Sequence, residues 1–150
     1  MIDTAQRPRP ATLRPANHDD IPTMARIVHD WECATGYIAD TPDVETLEGF
    51  IADAFEMREM TVVGDPVFGY LSIDPADNKL GALYLRHTGQ GNGKRLMDHA
   101  KQGRNQLWLT VYVTNTRAQN FYRREGFLET RHLAADRPGA PDMLRMEWQA

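Results

Sequence analysis

Asn115-Thr116-Arg117-Ala118-Gln119-Asn120-Phe121-Tyr122-Arg123-Arg124-Glu125-Gly126-Phe127 is the stretch that settles how this chain folds. Asn115 or Thr116 supplies a capping oxygen for a short helix. Gly126 ends that helix in a left-handed conformation, which costs glycine little. Upstream, Leu107 to Val113 is the best strand in the chain, with Leu107, Leu109, Val111 and Val113 on one face. Downstream, Phe127 to Leu133 and Met143 to Trp148 read as a closing hairpin, joined by a long connection over Asp136 to Pro141. Further upstream, Leu80 to Leu85 is a strand that runs into a polar, glycine-rich loop. A helix from Gly91 to Gln102 follows, and Gly103 stops it. Residues 80–113 therefore make one strand–helix–strand crossover.

Ala11 to Pro15 reads as a short first strand, and Asp19 to Cys33 as the first helix. Ile21, Met24, Ile27, Val28 and Trp31 form its apolar stripe, and Pro22 sits harmlessly in its first turn. After a loop over Gly36 to Asp40, Thr41-Pro42-Asp43 predicts the start of a second helix, with Thr41 as its hydroxyl cap. Val44, Leu47, Ile51 and Phe55 are its expected buried stripe, with Glu45, Glu48, Asp53 and Glu56 on the wet side. Met60 to Val63, Val67 to Ile73 and Leu80 to Leu85 form a three-strand antiparallel meander, divided by Gly64-Asp65-Pro66 and by Asp74 to Asn78. The expected order is β-α-α-β-β-β-α-β-α-β-β. That is an α+β fold with a mixed, mostly antiparallel sheet of seven strands flanked by four helices, in a single domain over residues 1–150.

The loop Thr88-Gly89-Gln90-Gly91-Asn92-Gly93-Lys94 follows a strand and opens a helix. Such a turn aims several backbone N–H groups at one point, backed by the positive end of the helix dipole. Glycines let a pyrophosphate approach without Cβ contacts, and Arg86, Lys94 and Arg95 add positive charge. The spacing is not that of a P-loop, because Thr88 stands where its first glycine belongs and Arg95 where Ser or Thr follows the lysine. Nor is it G-x-G-x-x-G, since the run here is G-x-G-x-G.

A glycine loop similar to Q/R-x-x-G-x-G, then a strand, then N-x-x-A-x-x-F-Y-x-x-x-G-F together resemble the GNAT superfamily of acyl-CoA-dependent N-acetyltransferases. The resemblance runs over roughly residues 11–149. It implies that the fourth and fifth strands splay apart and that acetyl-CoA lies in the gap. The pantetheine arm would pair with the fourth strand at Leu83, Tyr84 and Leu85. The pyrophosphate would rest on the loop Thr88, Gly89, Gln90, Gly91, Asn92, Gly93 and Lys94, chiefly on the amides of Gln90, Gly91, Gly93 and Lys94. Asn115, Ala118 and Phe121 match cofactor-facing positions. Tyr122 matches the tyrosine assigned as general acid to the departing thiolate. Two departures stand out. Thr88 replaces the usual Gln or Arg, and the segment between Leu85 and Gly89 is about two residues short.

The chemistry this implies is direct attack of a neutral primary amine on the thioester in a ternary complex. A backbone N–H near the end of the fourth strand would meet the oxyanion. A phenol can protonate the leaving thiolate. No acid occurs over Lys79 to Leu85, so the general base is open among Glu32, Asp30, Asp74, His87 and a water chain. The acceptor pocket of such a fold would be walled by the first two helices, placing Trp31, Glu32, Tyr37 and Asp40 near the substrate. Trp31 equally continues a core stripe. Trp108 and Trp148 read as packing residues. The rival function is a catalytically weak acyl-CoA-binding sensor, motivated by Thr88 and the missing fourth-strand acid.

Composition sets the outer bounds. The 150 residues are 41% hydrophobic and 25% charged, as in an ordinary soluble domain. No apolar run approaches the roughly 20 residues that cross a membrane, and residues 1–10 read as a flexible tail, not a signal peptide. Cys33 is the sole cysteine, so no internal disulfide forms, no zinc spacing exists and a reducing, cytoplasmic setting is expected. Residues 1–80 hold 6 Lys/Arg against 15 Asp/Glu, a net of −9, and residues 81–150 hold 11 against 6, a net of +5. A basic half suits a polyanionic cofactor, and an acidic half favours a cationic small-molecule amine over a protein N-terminus. The acidic total and the lack of a basic-aromatic stripe argue against nucleic acid. The sequence itself is silent on oligomeric state, and a homodimer enters only because dimers are frequent among the proteins it resembles.

Overall fold

The computed structural model describes residues 10–150. The tail expected over residues 1–10 therefore lies, except for Pro10, outside the described residues. The elements in chain order are β1 (Leu13–Pro15), α1 (Ile21–Thr35), α2 (Val44–Phe55), β2 (Glu59–Gly64), β3 (Val67–Asp74), β4 (Lys79–Leu85), α3 (Asn92–Lys101), β5 (Gln106–Tyr112), α4 (Thr116–Arg124), β6 (Leu128–Leu133) and β7 (Met143–Gln149). This is the order the patterning predicts, with one 3-10 turn at His18–Asp20 added before α1.

The sheet runs β1-β2-β3-β4-β5-β7-β6. Every neighbouring pair is antiparallel except β4 and β5, which are parallel. That single parallel pair follows from the α3 crossover, because a helix must carry the chain back before a parallel strand can start. Strand alternation then divides the apolar residues between two faces. Leu71, Ile73, Leu107 and Leu109 pack under α3 and α4 with Leu96, Met97 and Phe127. Val62 and Tyr70 face the other way, under Met24, Ala25 and Val28 of α1 and Leu47 of α2.

Two expectations about α2 are corrected. Its cap is Asp43, whose carboxylate accepts from the Thr46 amide at 2.8 Å, and not Thr41. A carboxylate one turn from three free N–H groups gains both a hydrogen bond and a favourable dipole term. Its stripe is also thinner than the pattern implies. Only Leu47 is buried, while Val44, Ile51 and Phe55 are half-buried and Phe50 is 58% exposed. The helix packs chiefly on α1 and meets the core mainly through Leu47, so most of its surface stays uncovered. Trp148 packs on the α3/α4 core beneath the Lys101 ammonium, 5.1 Å from its ring centre. Trp108 lies between Lys79 and Arg145, at 4.9 and 3.9 Å.

Candidate active site

β4 and β5 meet at one register position, Lys79 opposite Trp108, and then part. The gap widens toward the C-terminal ends of both strands into a cleft of about 690 Å³. One wall is Leu80 to Leu85 of β4, and the other is Leu109 to Tyr112 of β5. Because β4 has no ladder partner in β5 beyond Lys79, its backbone groups on that side face the cleft.

The glycine loop closes one end. Gly89 and Gly91 have φ of +83° and +79°, which L side chains rarely adopt. A Cβ on either would meet nothing within 4 Å. Gly91 is the cap residue of α3 and brings no side-chain hydrogen bond, so the first-turn amides of Asn92, Gly93 and Lys94 have no capping oxygen from the chain. Gly93 has a different reason to be glycine. A Cβ there would lie 3.3 Å from the Phe121 ring, so its absence lets α3 and α4 close together. Thr88 accepts a hydrogen bond from Arg117 at 2.6 Å, which ties the loop to α4.

α4 carries the opposite wall. Asn115 caps it by accepting from the Ala118 amide at 3.2 Å. Gln119, buried, donates to the carbonyls of Tyr112 and Val113 at 3.1 and 3.0 Å and so holds the helix to the end of β5. Tyr122 lines the cleft at 9% exposure, packed against Phe121 and Phe127. Burial pushes its phenol up to about 12.

The sequence comparisons fall on these elements. The acetyltransferase (GNAT) domain model matches residues 56–129, from the end of α2 into β6, spanning the meander, the loop and α4. These residues match the GNAT acetyltransferase family. No curated protein matches it in sequence. Solved structures share the fold at low identity. The yncA protein of Salmonella typhimurium, solved with its cofactor acetyl-CoA, is 19% identical with a TM-score of 0.71, covering 94% of each chain. YjaB of Escherichia coli, in its apo form, is 21% identical with a TM-score of 0.73, covering 92% of this chain and 97% of its own. A spermidine N-acetyltransferase SpeG chimera from Vibrio cholerae and hSSAT is 20% identical with a TM-score of 0.68, covering 94% of this chain and 96% of its own.

Within this GNAT fold, Leu83, Tyr84, Leu85, Thr88, Gly89, Gly91, Asn92, Gly93, Lys94, Asn115, Ala118, Phe121 and Tyr122 all line the one cleft. Gln90 does not. Of the acceptor residues, Trp31 lines it, while Glu32 and Tyr37 stand behind it. Trp31 sits edge-on to Tyr84 and Tyr37 at 5.5 and 5.8 Å, and Tyr37 to Tyr112 at 6.3 Å. Asp40 is exposed in the loop after α1 and does not reach the cleft.

The base candidates scatter. Asp30 pairs with Arg86 at 2.7 Å, which holds its carboxyl below the usual range. Asp74 accepts from the Ala76 amide in the β3–β4 turn. His87 lines the cleft and packs on Phe68. Glu32 is buried, with one oxygen on Arg137 at 3.1 Å and the other, Oε2, buried without a hydrogen-bond partner. Arg137, Asp136, Tyr112 and Gln119 had no local signal strong enough to single them out. Only Gln119, inside the α4 motif, was even adjacent to one. Among the described residues no three His, Cys, Asp or Glu side chains are grouped to hold a metal ion. No described helix is long and apolar enough to cross a membrane.

Proposed function

We propose that this protein transfers an acetyl group from acetyl-CoA to a primary amine of a small molecule by direct attack in a ternary complex. The observation that carries this reading is the parting of β4 from β5. It leaves an unpaired strand edge between a turn of amides without a side-chain cap at one end and a buried phenol on the facing helix. The residues fit the cofactor on their own terms. Gly89 and Gly91 leave open space where any Cβ would project, and three α3 amides lack a capping oxygen. Lys94 and Arg117 supply positive charge beside them.

Acetyl-CoA supplies an activated thioester and a thiol leaving group. The chain's residues supply the rest. The edge of β4 at Leu83 to Leu85 holds the pantetheine amides. Gly91, Asn92, Gly93 and Lys94 hold the pyrophosphate. Tyr122 holds its proton at neutral pH, as any phenol near 10 does, and burial raises it further to about 12, so it acts as donor and not as base. The small neutral fraction of the amine, deprotonated by bulk solvent before it enters, is the species that attacks, so the reading requires no carboxylate base beside Tyr122.

The first test is calorimetric titration with acetyl-CoA, free CoA and NADH, followed by turnover on a broad amine panel. One-site binding of the CoA species but not NADH, with turnover of at least one amine, is the expected result. Tight binding with no turnover on any amine would instead mark an acyl-CoA sensor. No binding of any CoA species would overturn both.

A further inference from the structure

The cleft has two ends of opposite character. At the glycine loop it is lined by Lys94, Arg117 and Arg124. At the other end it is lined by the rings of Trp31, Tyr84 and Tyr112 and by Asp136. Among the described residues two carboxylates line it. Glu125 lies within 3.7 Å of both Lys94 and Lys101. Asp136 has no ion pair or hydrogen bond among the described residues.

Asp136 belongs to the β6–β7 connection, and that connection is fastened across the mouth. Next to it, Arg137 reaches Glu32 on α1 at 3.1 Å. Two residues further, the Gly139 carbonyl accepts from the Ala39 amide at 3.4 Å. The Glu32 side chain is 8% exposed and that of Arg137 36%, so the pair is shielded on its carboxylate side and open on the other. Glu32, Arg137 and Asp136 together leave one net negative charge at an aromatic end. That combination attracts a cation.

We propose that Asp136 selects the acceptor, and that the acceptor is a primary amine carrying a second cationic group. Glu32 and Arg137 are positioning residues that hold Asp136 at the mouth. This rests on the acetyl-transfer reading above. The chemistry requires two separate nitrogens. The attacking amine must be neutral beside the buried Tyr122, whereas the group at Asp136 must remain charged. Asp136 is exposed and Tyr122 buried, so one linear diamine can present its free end inward and its charged end to the rim.

The test compares butylamine, putrescine and γ-aminobutyrate, which share one chain length and differ in the second charge. Putrescine should have the highest kcat/KM in the wild type. Asp136→Asn should lower it about five-fold through KM, the size of an exposed ion pair, and so shrink the putrescine-to-butylamine ratio by that factor. Glu32→Gln should act likewise alone and add nothing to Asp136→Asn. A preference for γ-aminobutyrate, or a putrescine-to-butylamine ratio untouched by Asp136→Asn, would overturn the assignment. Additive losses in the double variant would remove Glu32 and Arg137 from it. If no amine turns over, equilibrium titration of the same three amines reads the same preference. Acetyl-CoA affinity is measured on every variant. Its absence in the wild type refutes the transfer reading, whereas intact affinity with charge-blind amines refutes Asp136 alone.

Discussion

Tyr122 combines features that seldom occur together. It is packed between Phe121 and Phe127, lines a cleft, and has no hydrogen-bond partner among the described residues. Its phenol, raised to about 12 by burial, is a donor throughout the physiological range. In the proposed reaction Tyr122→Phe should therefore lower kcat by about a hundred-fold. Acetyl-CoA affinity should stay within a factor of about two, because the ring and its packing remain. Stopped-flow turnover under conditions where chemistry limits the rate, paired with calorimetry, separates the two effects. An unaltered kcat would remove the phenol from the mechanism. The two glycines of the loop show how similar residues differ in cause. Gly91 is needed for its backbone angle and Gly93 for the closeness of Phe121.

α4 is short, only nine residues, and so depends on its ends. Asn115 supplies its N-cap, and Gln119 anchors it to β5. Asn115→Ala should cost about 1 kcal/mol in chemical denaturation, and Asn115→Asp should restore most of it. Equal loss in both variants would show that the side chain acts other than as a cap. The same helix explains what could be read in advance. Its asparagine, its glycine stop and the strand before it are local signals, each decided within a few residues, so element order and the parallel β4–β5 step were legible. The cleft walls followed from the same motifs. What escaped was decided across distance. Arg137 meets Glu32, 105 residues away, through a loop with no periodicity. The α2 cap passed from Thr41 to Asp43 because two good capping residues stood two positions apart, and propensity does not choose between them. Trp31 could not be assigned to core or cleft from its stripe alone. It stands at their boundary, half-buried and lining the gap.

Across the molecule, three tyrosines share a hidden dependence on pH. Burial raises the phenols of Tyr70, Tyr84 and Tyr122 above the ordinary value near 10. In the unfolded chain these phenols ionise near that ordinary value, while the folded protein keeps them protonated. Stability is therefore full below about pH 10 and falls as pH rises beyond it, each phenol contributing about 1.4 kcal/mol per pH unit. A thermal melt series from pH 8 to 11 should show Tm falling at the alkaline end. Tyrosinate absorbance from these three should appear only with unfolding. Tyrosinate signal ahead of unfolding, at constant Tm and larger than Tyr37 and Tyr112 together can give, would mean that the three phenols are open to solvent.

The parted strands carry a further consequence, for solubility. A sheet normally hides its main-chain groups in its ladders and manages its two outer edges by shortness, charge or cover. This sheet has an additional edge inside its own outline, the face of β4 from Leu80 to Leu85. Such an edge is a template, and a second extended chain is the natural thing to dock there. A slender ligand with amides in series would occupy the template and finish the sheet. By the same act it would deny the edge to strands of other molecules. Ligand supply would then guard the protein against aggregation, apart from any role in turnover.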